Sequence, residues 1–243
     1  MFWTGRWPNI SPGGVVDSAG YRPALSPGSL ASAFGQNLAA ASTGNNVIPL
    51  PTNLGGVNVL VNGVIAPLQY AGQEVVNFQI PGKTPLGPAT VQVFNGQLLS
   101  AQYPITVTAT SPGMFQNTTP GQALVIDPST YTVVNSLKLG GSYFVYAQGL
   151  GTTSCSALPD GGTNPIDKTC VFGAPVQVVI NGQSIAADFA GLAPALLTAI
   201  YQVNFTVPGT AAAPSPTVST TPENLELMLN GQSSNIVQVQ VQQ

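Results

Sequence analysis

The chain repeats itself with a long period. Val-Leu-Val-Asn-Gly at residues 59–63 returns as Val-Val-Ile-Asn-Gly at 178–182, and Val-Asn-Phe-Gln-Ile-Pro at 76–81 returns as Val-Asn-Phe-Thr-Val-Pro at 203–208. The order is kept, and the second copy carries an insertion around residues 191–198. A unit of about a hundred residues is too long for a solenoid or propeller repeat and has the length of one immunoglobulin-like sandwich. The duplication therefore predicts two tandem domains.

Both copies show the period-two alternation of β-strands. Apolar residues stand at every second position, which puts them on one face of each strand. The predicted strands cover residues 57–61, 76–80, 89–93 and 103–107 in the first copy, and 176–180, 201–207, 225–229 and 237–241 in the second. The 27 glycines and 22 prolines interrupt the chain too often for long helices. The sequence therefore predicts an all-β fold of two tandem immunoglobulin-like β-sandwich domains.

Four Asn-Gly dipeptides directly follow apolar runs of this kind, at residues 62–63, 95–96, 181–182 and 230–231. A type I′ turn needs positive φ at both central positions, and Asn followed by Gly is a preferred pair there. Each dipeptide therefore predicts a two-residue β-hairpin turn.

The domain boundaries are predicted from the repeat and from the residues between the copies. An N-terminal arm covers residues 1–8, the first sandwich 9–109 and the second 110–243. The segment that joins the sandwiches, 108–112, is short and ends in Pro112. Because a linker of this kind allows little freedom, we expect a fixed, elongated pair of domains.

Charged residues make up only 5% of the chain, against about 25% in an average soluble domain, and histidine is absent. The commonest general base and zinc ligand is therefore missing, and with it every Ser-His-Asp or Cys-His arrangement. A net charge of −3 with five scattered cations cannot neutralise a row of phosphates. We expect no nucleic-acid partner. No apolar run is long enough to predict membrane insertion.

Acid–base chemistry would depend on eight carboxylates, none of which stands in a recognisable catalytic spacing: Asp17, Glu74, Asp127, Asp160, Asp167, Asp188, Glu223 and Glu226. Most fall in turns, where Asp caps or solvates the backbone. Asp160 and Asp167 offer the oxygen ligands that calcium prefers, but with Lys168 beside them a solvated loop is the favoured interpretation. We therefore expect a protein that is not an enzyme and has no metal site and no cofactor.

Two cysteines, Cys155 and Cys170, lie in residues 153–171, a segment rich in Gly, Pro, Asp and Ser that has no strand pattern. Two thiols without histidine are too few for a metal site, and a redox pair normally has Cys-x-x-Cys spacing. The favoured interpretation is a disulfide that closes this loop, worth about 3 kcal/mol in the chain-entropy model. Such a bond implies an oxidising compartment.

The N-terminal residues do not have a signal-peptide pattern, yet the composition favours export. We expect a mature or excised piece of a longer secreted chain that works outside the cell or at the cell surface. Phe2, Trp3, Trp7 and Tyr21 crowd the first residues of the chain. Exposed aromatic side chains stack on sugar rings or pack on another subunit, and a cover for the core of the first domain is an equally supported interpretation.

The order of several motifs is shared with a known family. The matching segments are Gly-Ser-Leu-Ala-Ser-Ala-Phe-Gly-Gln-Asn-Leu at 28–38, Leu-Pro-Thr-Asn-Leu-Gly-Gly-Val at 50–57, Val-Asn-Gly at 61–63 with Ala-Pro at 66–67, Val-Asn-Phe-Gln-Ile-Pro at 76–81, Ser-Pro-Gly-Met-Phe at 111–115 and Tyr-Ala-Gln-Gly-Leu-Gly at 146–151. From about residue 11 onward the chain resembles the uncharacterised C-terminal domain repeated in large exported proteins of Acidobacteria such as Solibacter. The resemblance implies an extracellular module similar to immunoglobulin-like IPT/TIG domains, and it carries over no catalytic residues.

Two classes of function remain open on the sequence. The leading expectation is a non-enzymatic extracellular structural or adhesion module that contacts other cell-surface proteins or self-associates into a surface filament. Exchange between copies would use the N-terminal arm and the terminal strand with Ile236, Val237, Val239 and Val241, although pairing within their own domains is favoured slightly. The alternative is a carbohydrate-binding module of a larger secreted protein, with Trp3, Trp7, Tyr131 and Phe172 as platforms for glycans.

Overall fold

The structure is a computed structural model that describes residues 7–155, 158–209 and 219–242 of the 243-residue chain. The described residues form β-strands, turns and loops, which confirms the predicted all-β class. Two β-sandwiches follow one another along the chain. No described helix is long and apolar enough to cross a membrane.

The first sandwich packs two sheets around one apolar core. Its strands are β1 (Asn9–Asp17), β2 (Leu30–Gln36), β3 (Thr43–Gly44), β4 (Asn58–Val61), β5 (Val64–Ile65), β6 (Leu68–Ala71), β7 (Val75–Gln79), β8 (Gly87–Phe94) and β9 (Tyr103–Val107). One sheet has the order β1-β2-β7-β6-β3 and the other β5-β4-β8-β9. Apolar residues from both sheets, between Ile10 and Val107, form a single buried cluster.

The second sandwich repeats this plan with more strands. They are β10 (Gly113–Met114), β11 (Val125–Asp127), β12 (Thr132–Val134), β13 (Ser136–Lys138), β14 (Ser142–Gln148), β15 (Val176–Ile180), β16 (Gln183–Ala186), β17 (Phe189–Leu192), β18 (Tyr201–Thr206), β19 (Ser219–Leu229), β20 (Gln232–Ser233) and β21 (Val237–Gln242). One sheet has the order β12-β11-β14-β18-β17 with β10 beside β14, and the other β13-β21-β19-β15-β16 with β20 beside β19. The second core spans Met114 to Val241.

The repeated sequence motifs occupy matching strands of the two sandwiches. Phe78 of β7 pairs with Ala31 of β2, and Phe205 of β18 pairs with Tyr143 of β14. Both phenylalanines are fully buried at the centres of their cores. The register of β2 and β7 is therefore that of β14 and β18, and positions of the two sandwiches correspond residue by residue along these strands.

Three of the four predicted type I′ turns are confirmed. Asn62, Asn181 and Asn230 have φ between 47° and 49°, and the glycine that follows each has φ between 76° and 79°. The prediction is wrong at residues 95–96, because Asn95 does not have a positive φ. There the Oδ1 atom of Asn95 accepts a hydrogen bond from the Leu98 N–H at 2.9 Å and closes a longer turn before β9.

The two sandwiches meet at a buried contact region that we call the joint. Gln148, at the end of β14, is fully buried and hydrogen bonds to Leu30 and Asp17 of the first sandwich. Arg22 of the first sandwich donates to the backbone oxygen of Ser233 in the second at 2.7 Å. Hydrogen bonds from one buried and one partly buried side chain thus hold the sandwiches together in addition to the linker.

The segment between the two cysteines also reaches across to the first sandwich. The N–H of Gly161 donates to Oε1 of the buried Gln79, and the Gly161 oxygen accepts from the Leu50 N–H at 2.8 Å. Asp160 accepts from the Gly82 N–H, also at 2.8 Å. A small apolar cluster fills the space beside these bonds, with Leu30, Leu50, Leu197 and Ala199 as its buried members.

Candidate functional site

The aromatic and terminal candidates from the sequence do not converge on one site. Trp7 is 66% exposed and Ile236 52% exposed, at separate places in the fold. Tyr21, four residues after the end of β1, is 61% exposed. Phe2 and Trp3 lie outside the described residues. Three further candidates of the terminal strand are buried in the core of the second sandwich: Val237, Val239 and Val241.

The terminal strand pairs within its own domain, which is the arrangement that the sequence slightly favoured. β21 lies between β13 and β19, so both of its edges are occupied. Phe172, a candidate platform for sugars, packs against the second core instead of facing solvent freely. Among the named aromatic candidates of the second sandwich, Tyr131 alone remains well exposed, at 79%.

The disulfide between Cys155 and Cys170 is present, with the two Cα atoms 5.1 Å apart, as the loop composition predicts. We call the segment that it closes the disulfide loop. Asn164 of this loop is buried and donates from Nδ2 to the backbone oxygens of Ala193, Leu197 and Ile200 at 2.8 to 3.0 Å. Ala193 and Leu197 belong to the insertion that distinguishes the second copy, and Ile200 directly follows it, so hydrogen bonds tie the disulfide loop to the insertion.

A groove of about 600 Å³ lies between the disulfide loop and the outer face of the sheet that contains β14 and β18. Strand alternation sends Val203 and Phe205 into the core, so the residues between and beside them face outward. The groove is lined on the sheet side by Tyr131, Tyr146, Phe189, Leu192, Gln202 and Asn204, and on the other side by Ile166, Asp167, Lys168 and Thr169 of the disulfide loop and Pro194 of the insertion.

Aromatic side chains form a continuous surface on the sheet side of the groove. Phe144 is buried between Tyr131 and Tyr146, with ring centroids 6.2 Å and 5.4 Å away in edge-to-face geometry. Burial, with a smaller contribution from Tyr131, raises the pKa of the Tyr146 hydroxyl. Tyr146 is therefore neutral at pH 7, and each of the two tyrosines offers a ring with a hydroxyl at its tip.

A tight turn after β11 positions Tyr131. The Asp127 carboxylate accepts hydrogen bonds from the Ser129 hydroxyl at 2.6 Å and the Ser129 N–H at 2.8 Å, and the Tyr131 N–H donates to the Asp127 backbone oxygen. The Ser129 bonds, that of the hydroxyl first, lower the pKa of Asp127. Tyr131 has a φ of 54°, which is unusual for a bulky residue and is held by this turn.

Two side-chain amides stand next to the rings. Nε2 of Gln202 donates to Oδ1 of Asn204 at 2.8 Å. Among the described residues this bond leaves Oε1 of Gln202 as a free acceptor and Nδ2 of Asn204 as a free donor. Because a hydroxyl group both donates and accepts, this pair matches one alcohol group. The groove thus combines apolar ring surface with polar atoms suited to a hydroxylated ligand.

Other features contribute less to a binding site. A cleft of about 520 Å³ between the sandwiches is lined by Gln79, Lys83, Asp160 and Tyr201 among others. Its buried groups already have partners, since Gln79 bonds to Gly28 and Tyr201 donates to Gly151, and burial raises the pKa of Tyr201 to about 12. The described residues contain no group of three or more Cys, Asp or Glu side chains that could hold a metal ion.

Comparison with known proteins gives only distant similarities. No family model and no curated protein sequence matches the chain. Among solved structures, SGBP-B of a Bacteroides ovatus mixed-linkage glucan utilization locus, in complex with a mixed-linkage heptasaccharide, has 13% identity and a TM-score of 0.33 over 90% of this chain and 43% of that one. The surface glycan-binding protein of Prevotella bryantii has 11% identity and a TM-score of 0.29, over 94% and 41% of the two chains.

A third solved structure, the Escherichia coli adhesin FdeC, has 12% identity and a TM-score of 0.29, over 94% of this chain and 63% of its own. This chain spans less than two thirds of the length of each of these three proteins. At this identity and TM-score the three likenesses indicate nothing about the function of this chain.

Proposed function

We propose that the chain is a non-enzymatic extracellular module that binds carbohydrate in the groove of the second sandwich. The observation that carries the proposal is the combination, on one sheet face, of exposed aromatic surface with the amide pair of Gln202 and Asn204. Sugar rings have apolar C–H faces that pack on aromatic rings and hydroxyl groups that bond to amides. Small-molecule binding sites in proteins typically combine apolar and aromatic side chains with a few polar groups that orient the ligand.

The charges of the groove favour a neutral glycan. Asp167 and Lys168 stand side by side in the loop wall, so their formal charges cancel. The whole chain has a net charge of −3 and only five cationic side chains. A polyanionic glycan would therefore meet no attractive field, whereas a neutral polysaccharide is not repelled.

The extracellular part of the proposal is supported by the disulfide. A bond between Cys155 and Cys170 persists in oxidising compartments and is rare in the cytosol. The loop that this disulfide closes also forms one wall of the groove, so the oxidised state of the two cysteines supports the binding site.

A surface adhesion or spacer module is a second candidate, and the joint is the observation that favours it. Gln148, Asp17 and Arg22 connect the sandwiches through buried or partly buried hydrogen bonds, which suits a protein that holds its ends at a fixed separation. Filament formation by exchange of β21 would require this strand to leave two partners, β13 and β19.

The proposed function is tested by affinity electrophoresis of the purified chain in gels that contain neutral polysaccharides: hydroxyethyl cellulose, galactomannan or laminarin. We expect retardation in at least one gel and a loss of affinity of about fivefold or more in Tyr131→Ala and in Gln202→Leu. Trp7→Ala, an exposed aromatic outside the groove, serves as the matched control and should bind like the wild type. Retention lost in Trp7→Ala but kept in Tyr131→Ala would place the site elsewhere.

A further inference from the structure

The turn that presents Tyr131 is found a second time, in the first sandwich. Asp17 and Tyr21 have the spacing of Asp127 and Tyr131, and the tyrosines have φ of 56° and 54°. In each turn the tyrosine N–H donates to the backbone oxygen of the aspartate, at 3.0 Å and 2.8 Å. The Asp17 carboxylate accepts from the N–H two residues on, as the Asp127 carboxylate does. The two turns have the same local geometry.

The register of the sheets puts the two tyrosines at corresponding places. Asp17 lies opposite Ala31 on β2, and Ala31 pairs with Phe78. In the second sandwich Ile126 pairs with Phe144 of β14, so the antiparallel register places the next residue, Asp127, opposite Tyr143. Tyr143 in turn pairs with Phe205. The turn after β1 and the turn after β11 therefore begin at the same register position relative to the buried phenylalanine of their own sandwich.

Two further aromatic positions of the groove are also duplicated. Phe34 of β2 corresponds to Tyr146 of β14, and its ring centroid is 6.2 Å from that of Tyr21. Tyr70 of β6 lies opposite Asn77, as Phe189 of β17 lies opposite Asn204. The outer face of the first sandwich thus has aromatic side chains at three positions that are also aromatic in the groove. Asn77 lies between them, as Asn204 does in the second sandwich.

The first sandwich lacks three elements of the groove: Ser32 of β2 stands where the second sandwich has Phe144 of β14, and the other two are a glutamine and a loop wall. Val75 stands where the second sandwich has Gln202, and among the described residues Oδ1 of Asn77 has no hydrogen-bond partner. The missing glutamine explains this orphaned acceptor, because Gln202 donates to the corresponding atom of Asn204. The disulfide loop, which forms a wall beside β17 and β18, belongs to the second copy only.

We propose that Tyr21, Phe34 and Tyr70 form a second, weaker platform for the same neutral glycan, which makes the chain bivalent toward a polysaccharide. This inference rests on the proposed function of the groove. Without a glutamine beside the asparagine and without a loop wall, the first platform holds a short oligosaccharide poorly. On a polymer already bound in the groove it acts at high effective concentration, and avidity then exceeds the affinity of either site.

The test compares each polysaccharide with its own hexasaccharide, using galactomannan with mannohexaose, hydroxyethyl cellulose with cellohexaose, and laminarin with laminarihexaose. We expect Tyr21→Ala to weaken polymer binding about tenfold or more and to leave hexasaccharide affinity at the groove within twofold of wild type. Tyr21→Phe keeps the ring and should retain polymer binding. Trp7→Ala is the control for an exposed ring outside both platforms.

A gain-of-function variant keeps the proposal testable if Tyr21→Ala folds poorly. Val75→Gln supplies the donor that Gln202 provides in the second sandwich, so it should strengthen polymer binding several-fold. The second platform is overturned if Tyr131→Ala removes binding while Tyr21→Ala and Val75→Gln both bind polymer like the wild type; the proposed function then stands. A wild-type chain that binds none of the three polymers overturns both. If the wild type self-associates and Tyr21→Ala does not, while glycan binding stays intact, the three aromatic residues form a protein contact and the proposal of a second platform is overturned.

Discussion

The side chain of Gln148 pairs with the backbone of Leu30 in the way that a neighbouring strand would. Its Oε1 accepts from the Leu30 N–H at 2.8 Å, and its Nε2 donates to the Leu30 oxygen at 3.1 Å and to Oδ1 of Asp17 at 3.2 Å. All three residues are buried. One amide thus satisfies polar groups of the first sandwich from within the second, and the joint depends on it.

Replacing this amide by an apolar side chain of similar size should loosen the joint. In Gln148→Leu the Leu30 N–H stays buried without its acceptor, while the Leu30 oxygen keeps the Ser18 N–H as a donor. The unpaired N–H costs about 1–3 kcal/mol of unfolding free energy. The measurement is urea unfolding of the purified chain. Gln36 occupies the corresponding register position of the first sandwich and is exposed, so Gln36→Leu should change stability by less than about 0.5 kcal/mol. Equal losses in the two variants would contradict a special role of Gln148.

The sequence predicted eight of the strands, because one alternation encodes both faces of a sheet, but it did not predict others such as β1, β2 and β14. Val203 and Phe205 predicted a buried face, and the residues between and before them, Asn204 and Gln202, turn out to line the groove. The same pattern could have named these outward residues as candidates. It gives no reason to prefer them over other outward polar residues until Tyr131 and the disulfide loop are placed beside them.

The joint and the Tyr131 turn could not be predicted from the sequence, for two different reasons. Gln148 and Leu30 are 118 residues apart, and nothing local separates this buried glutamine from the exposed Gln36. The Asp-x-x-x-Tyr spacing is present twice, yet two residues in five make a weak pattern. Its meaning depends on the positive φ of the tyrosines, which only the fold reveals.

The disulfide should support both stability and binding. In the chain-entropy model a bond that closes about 15 residues contributes about 3 kcal/mol. Cys155→Ala combined with Cys170→Ala should lower the unfolding free energy by about this amount and weaken glycan binding, because the loop forms a wall of the groove. Thermal unfolding and affinity electrophoresis with and without reductant measure the two effects. Reductant should affect the wild type and leave the double variant unchanged; binding that survives reduction at full strength would remove the loop wall from the site.

The carboxylate of Asp127 should matter for binding through the position of Tyr131. Asp127→Ala removes the acceptor of the Ser129 bonds and should weaken glycan binding several-fold with little change in stability, since the turn is on the surface. Asp127→Asn keeps an oxygen at the same place and should bind like the wild type. The affinity of both variants for the retained polysaccharide is the measurement. Equal loss in Asn and Ala variants would show that charge, and not the turn, is what the site needs.

The free energy of unfolding should depend on pH through Glu223, a buried carboxyl group of the second sandwich. It lies on β19 opposite Val239, is 6% exposed, and its Oε2 has no hydrogen-bond partner among the described residues. Burial raises its pKa above the ordinary value. The folded chain therefore binds this proton more tightly than the unfolded chain does. The stability that the protonated group contributes is complete below the unfolded pKa of about 4.3 and is lost as pH rises through the folded pKa.

Glu223→Gln should accordingly raise the melting temperature at pH 7, by roughly 2–4 °C for each kcal/mol gained, and make no difference below about pH 4. Glu226, three residues along β19 and half-exposed, provides the matched control, because Glu226→Gln removes the same charge from a solvated position. Differential scanning calorimetry of the wild type and both variants between pH 4 and pH 8 measures the effect. A Glu223→Gln chain that is less stable than wild type at pH 7 would mean that the carboxylate is held charged, with a partner, in the folded protein.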